Sequence, residues 1–305
     1  MRHEIHNLEV PGQQEGPATL TAYLLDAISV APEKQRPAVI VVPGGGYTRR
    51  SDREKEPVAM QFLAMGYHAF VLDYSVAPHR FPVSLTELAL AVAMVREHAQ
   101  EWHVDPAAIL VCGFSAGGHL ACSLGTFWND PVSYEGIGKT AEQVRPDGLI
   151  LCYPVITSGE FRHPGSIEML LGEDVVQGDA GREFSDAEQN AVQNAEYTIS
   201  ERHELLDKVS LERHVTPSMP PVFLWHTLTD ATVPVENSLL LASAMRRCGV
   251  SFELHIFPSG CHGLALANEE TGGDQERLTE PCCQTWISLV KSWIEARFPG
   301  RPNAQ

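Results

Sequence analysis

Uninterrupted apolar runs recur along this chain, separated by stretches in which apolar residues return at helical spacing. Residues 38–42 (Ala38, Val39, Ile40, Val41, Val42) are apolar throughout and stop at Pro43-Gly44-Gly45-Gly46. Runs of the same kind occupy 68–74, 108–112, 148–153 and 221–226, and 252–257 alternates in part. Continuous apolarity over five or six residues predicts strands buried on both faces. Between them, 57–65 reads as a helix with Pro57 in its first turn and Gly66 as its stop. Ser84 predicts a helix start with a capping box to Glu87, followed by Leu85, Leu88, Val92 and Val95 on one face. A helix over 239–248 closes at Gly249. Trp286, Leu289, Val290, Trp293 and Ile294 mark one face of a last helix.

Strand and helix in alternation predict an α/β fold, a mainly parallel sheet with helices on both faces. Residues 19–25 add an amino-terminal strand, read as an antiparallel edge. From 157 to 220 the rhythm fails: the sequence turns polar and acidic, with small apolar clusters such as Met169-Leu170-Leu171. This stretch reads as a helical cap inserted into one domain spanning 1–305, the alternative being a surface excursion with no part in the site.

Composition narrows the field. The chain has 305 residues and a formal charge of −17, a field that repels nucleic acid and anionic membrane surfaces. No run of apolar residues is long enough for a membrane span. The first residues lack the apolar core of a signal peptide, so a cytoplasmic location is expected. Seven cysteines, several within apolar runs and none in a C-x-x-C pair, read as buried thiols in a reduced compartment. Neither a metal nor another cofactor is expected. Association of copies is left open.

Chemistry enters with Gly113-Phe114-Ser115-Ala116-Gly117, a G-x-S-x-G match. The pattern alone is weak; its context is not, because an apolar strand runs into it and a helix-compatible run leaves it. A serine on that turn projects its hydroxyl above the carboxyl edge of the sheet. The N–H of Ala116, at a helix start, aims where an oxyanion forms. Pro43-Gly44-Gly45-Gly46-Tyr47 lacks the Lys-Ser/Thr of a phosphate loop, so Gly45 and Gly46 are read as further oxyanion donors.

A serine hydroxyl needs a base. His262, between glycines on a mobile loop after the last strand, is the choice. His226 ends a strand and is its rival, His255 sits within a strand, and Cys261 is the one cysteine adjacent to the site. Asp230, after the strand ending at His226, is the acid that fixes the imidazole tautomer, with Glu236 as runner-up. Tyr47, Arg49 and Arg50 are placed near the substrate pocket.

These blocks, with Leu72-Asp73-Tyr74-Ser75-Val76-Ala77-Pro78 and Gly117-Gly118-His119-Leu120-Ala121, resemble the esterase/lipase-like α/β-hydrolases. The nearest branches are the hormone-sensitive-lipase-like and the acetylxylan-esterase-like (xylanase B-associated) carboxylesterases. The segment 221–227 with Asp230 and Pro234 resembles the latter more, as does Pro43 where the former begins with His. The resemblance covers about 38–266. It implies the α/β-hydrolase fold and a serine carboxylesterase acting on short acyl groups, often acetyl groups on sugars, through Ser115, His262 and Asp230. A peptidase or amidase of the same fold, and an inactive binding protein, are the rival readings.

Overall fold

A computed structural model describes residues 1–14, 16–176 and 198–299. Eight strands form one sheet: β1 (Arg2–Leu8), β2 (Ala18–Leu24), β3 (Arg36–Val42), β4 (His68–Asp73), β5 (Val104–Phe114), β6 (Gly148–Cys152), β7 (Val222–Thr227) and β8 (Phe252–Phe257). Their spatial order is β1-β2-β4-β3-β5-β6-β7-β8. The β1–β2 and β2–β4 pairs are antiparallel, and every pair from β4 across to β8 is parallel. Sequence reading made β2 the edge. Instead β1 pairs along its outer side, with Ile5 and most polar residues of β1 in solvent. An edge strand open to water lacks the apolar run that betrays a central one.

Strand side chains alternate between two cores, because successive Cβ atoms point to opposite faces. Ile40, Val42, Ile109 and Val111 pack on one side with helices α2 (Val83–Glu97) and α3 (Ala116–Phe127). Val39, Val41, Leu110 and Cys112 pack on the other with α1 (Glu56–Ala64) and the carboxy-terminal helix, Trp286–Arg297. All twelve residues of α3 are buried, so the helix that leaves Ser115 is fixed by packing along its whole length.

The expected capping box at Ser84 does not form. α2 begins one residue earlier with no side-chain cap. The Glu87 carboxylate instead accepts from the Ser75 N–H and hydroxyl and from Gln13. A long-range donor set outbid the local one. The helix expected over 239–248 starts three residues earlier, Glu236–Cys248.

Within 157–220 the described residues form α4 (Pro164–Leu171), a turn of helix at Glu173–Val176, and α5 (Ile199–Lys208), capped by Thr198 and Glu201. Leu206, Val209 and Leu211 enter the main core, so the segment is anchored at its return to the sheet. The part of the expected insertion at 177–197 lies outside the described residues.

Candidate active site

At the carboxyl end of β5 the chain turns so sharply that only a narrow set of residues fits. Ser115 has φ 52° and ψ −117°, a region that costs an L-residue about 1–3 kcal/mol. A Cβ on Gly113 would lie 2.2 Å from the Gly117 carbonyl oxygen, and one on Gly117 would lie 2.2 Å from that of Val42. Two glycines are thus required by close approach, and the buried α3 holds the strained residue between them. The Ser115 N–H donates to the Cys152 carbonyl, and its own carbonyl accepts from His119 and Val155.

Ser115 Oγ lies 2.7 Å from His262 Nε2, and His262 Nδ1 lies 2.6 Å from Asp230 Oδ2. The Asp230 side chain is wholly buried, whereas that of His262 is 16% exposed. Asp230 Oδ1 accepts from the N–H groups of Thr232 and Val233, and His226 Nε2 stands 3.3 Å from Oδ2. Burial opposes ionisation of Asp230, but the bonds from His226, His262 and Val233 outweigh it and hold the carboxyl well below the usual carboxylate range. An ionised carboxylate requires the proton at His262 Nδ1, leaving Nε2 as the acceptor for the serine proton.

His226, weighed as a rival base, is buried behind the acid. Its Nδ1 accepts from Ser238 Oγ and its Nε2–H reaches the Val233 carbonyl. Glu236 opens a helix, and the hydrogen bonds of His262 among the described residues go to Asp230 and Ser115 instead. His255 pairs with Glu253, and Cys261 turns its thiol to the Arg277 carbonyl.

The loop that bears His262 is tied down more firmly than its glycines imply. Thr227 and Thr229 hydroxyls donate to the Gly260 carbonyl, and Arg53 donates to the carbonyls of Gly263 and Thr271. Tyr153 sets its ring edge-on to the His262 ring, 5.0 Å between centroids.

Gly45 and Gly46 line the cavity above Ser115. Neither their N–H groups nor that of Ala116 donates to another described residue. Both glycines have positive φ, and a Cβ on Gly45 would strike the Arg49 carbonyl at 2.2 Å. Below them lies a support that sequence reading missed. The Glu54 carboxylate is 3% exposed and takes the Gly44 N–H at 2.8 Å through one oxygen and the Tyr153 hydroxyl at 2.7 Å through the other. Tyr153 accepts in turn from the Ala265 N–H. One carboxylate therefore connects the glycine loop to the floor of the histidine loop. Nothing local marks Glu54, since its partners are 10 and 99 residues away.

The cavity measures about 710 Å³. Tyr47 and Arg50, expected at the substrate, do not line it. Tyr47 is buried with its hydroxyl on His119 Nδ1, and Arg50 turns to the Tyr74 carbonyl and Asp73. Tyr47 has φ 57°, and its ring packs edge-on against Tyr74 and His119. Arg49 does line it, as do His163 and Met169 from the 157–220 segment. His163 Nδ1 accepts from the Ser166 N–H and hydroxyl, so its proton is on Nε2. Burial, then the neighbouring His262, keep it below the ordinary imidazole value.

An eight-stranded, mostly parallel sheet with a serine–histidine–carboxylate chain at its carboxyl edge defines an α/β-hydrolase. A family model described as BD-FAE matches residues 27–245. The chain is 36% identical over 242 residues, 77% of its length, to endo-1,4-β-xylanase B of Butyrivibrio fibrisolvens, of which it spans 34%. It is 30% identical, over 75% of its length, to an acetylxylan esterase of Xylanibacter ruminicola, of which it spans 41%. The chain thus spans between a third and a half of these curated relatives. Among solved structures, an acetyl ester-xyloside bifunctional hydrolase from Caldicellulosiruptor lactoaceticus superposes with a TM-score of 0.75 at 36% identity, covering 97% of this chain and 96% of that one. A carboxylesterase from Lactobacillus plantarum gives 0.74 at 29% identity, covering 99% and 100%. The chain belongs to the BD-FAE family.

Proposed function

We propose that this chain removes short acyl groups, acetyl above all, from carbohydrate esters through an acyl-enzyme on Ser115. The observation that carries the reading is the unbroken relay from Ser115 Oγ through His262 to Asp230, two contacts of 2.7 and 2.6 Å, opening on a cavity with uncommitted amides. His262 Nε2 takes the serine proton as Oγ attacks the ester carbonyl. The amides of Gly45, Gly46 and Ala116 receive the oxyanion, each worth about 3 kcal/mol to the transition state. Protonated His262 then releases the alcohol, and the same nitrogen activates water to free Ser115. The acetyl and carbohydrate parts are supported by the relatives named for acetylxylan and acetyl ester-xyloside hydrolysis. The 157–220 segment acts as a cap in this reading, since His163, Gly165 and Met169 wall the cavity.

A panel of aryl acetate, butyrate and longer esters, an aryl amide and acetylated xylo-oligosaccharides tests it, beside labelling with a fluorophosphonate. Expected are labelling at Ser115, fastest turnover of acetyl esters and release of acetate from the sugar. Preference for the amide would favour the peptidase reading, and absence of both labelling and turnover the inactive one.

A further inference from the structure

The cavity's charge runs against the charge of the chain. Acidic residues outnumber basic ones by 39 to 22, yet three arginines line this cavity, Arg49, Arg53 and Arg277, against one acid, Glu54. Both Glu54 oxygens are already committed to Gly44 and Tyr153. None of the three guanidinium groups ion-pairs with a described carboxylate. Arg53 spends Nε and one terminal nitrogen on carbonyls and keeps the other. Arg277 spends one terminal nitrogen on Gln275 and sets the other 3.9 Å from Cys261 Sγ, a weak acceptor, and Arg49 gives no side-chain donor to a described residue. His163 adds an Nε2–H on the same wall. Unpaired guanidinium groups around a reacting carbonyl bind carboxylates in fork geometry.

We propose that the site selects esters that carry a carboxylate near the scissile bond, an acylated acidic sugar being the form a carbohydrate esterase would meet. The proposal rests on the esterase reading above and adds the substrate's charge. The long-range field of the chain disfavours anions, so a preference for them has to come from the cavity wall.

The test compares kcat/KM for 4-acetoxybenzoate and its neutral methyl ester, whose leaving groups match in size. A second arm compares 4-nitrophenyl hemisuccinate with its methyl ester, placing the charge on the acyl side. Expected is an anion preference of about ten-fold in one arm, with benzoate inhibiting neutral turnover more strongly than benzamide. Arg49→Gln and Arg277→Gln should each lower the anion-to-neutral ratio, and Arg277→Glu should reverse it. Hydrolysis of the neutral esters with no anion preference in either arm, and equal inhibition by benzoate and benzamide, would overturn this proposal and leave the esterase intact. Failure to turn over any of the four esters would remove both.

Discussion

Ser115 occupies a backbone conformation that its own side chain disfavours, and its strain is offset by the burial of everything on either side of it. Replacing the hydroxyl tests function with little change in packing. Ser115→Ala should cut kcat by about 10⁴-fold or more, with an unfolding midpoint in urea close to that of the parent. Asp230→Asn should cut it by about 10⁴-fold, because an amide in place of the carboxylate favours the wrong His262 tautomer. Single-turnover kinetics on an acetyl ester measure both. If Glu236→Gln were the costlier change, the acid is misassigned.

Glu54 is a different kind of residue: it borders the cavity, but both its oxygens are engaged by Gly44 and Tyr153, so it is expected to act by positioning the glycine loop. In Glu54→Gln one oxygen remains to accept from two donors, so either Gly44 or Tyr153 is left unsatisfied. A stability loss of about 1–3 kcal/mol is expected, with kcat falling more than KM rises as the loop amides drift. Tyr153→Phe, which leaves the Gly44 bond in place, should cost less in kcat. Equal kcat losses for the two would sink the idea that the carboxylate acts through the loop.

The β5–turn–α3 unit behaves as one rigid body. Its two glycines sit where any Cβ meets backbone oxygen at 2.2 Å, and a backbone neighbour has no rotamer to escape into. Gly117→Ala should therefore destabilise by more than about 4 kcal/mol, read as a large drop in melting temperature or loss of folded protein. Gly249, by contrast, is a helix stop with φ 72° and open space around it. Gly249→Ala should cost about 1 kcal/mol through backbone strain alone. The ordering of the two variants is the check.

Acid sensitivity sums over groups scattered through the fold. His119 joins the glycine loop to the return of the 157–220 segment, through Tyr47 on one nitrogen and the Val209 carbonyl on the other. Burial lowers it to about 4, and burial does the same to His68. Unfolded, each titrates near 6.5. Between pH 6.5 and 4 the unfolded chain thus binds more protons, and stability falls as pH falls through that window. The loss approaches about 3 kcal/mol per histidine and levels off below pH 4. The Asp230 pair contributes stability above the ordinary carboxylate value and loses it further into acid. Urea titrations across the window should show this slope, and His119→Gln should flatten it. An unchanged slope would mean that His119 is not held neutral in the fold.

Sequence pattern alone was enough for the parallel core of the sheet and for the α/β class, and it named a serine, an acid and a histidine that the fold brings within hydrogen-bonding reach of one another. Burial on both faces leaves an apolar run at 38–42 or 108–112, and a close approach leaves a glycine at 113 and 117. Such requirements are written within a few residues. It was not enough for β1, the edge strand, whose solvent-facing residues carry no such imprint. Nor could it find Glu54 beneath the glycine loop, the burial of Tyr47, or the arginines that share one cavity from positions 49, 53 and 277. Those depend on contacts between segments far apart in the chain, where the deciding quantity is the distance between side chains in space.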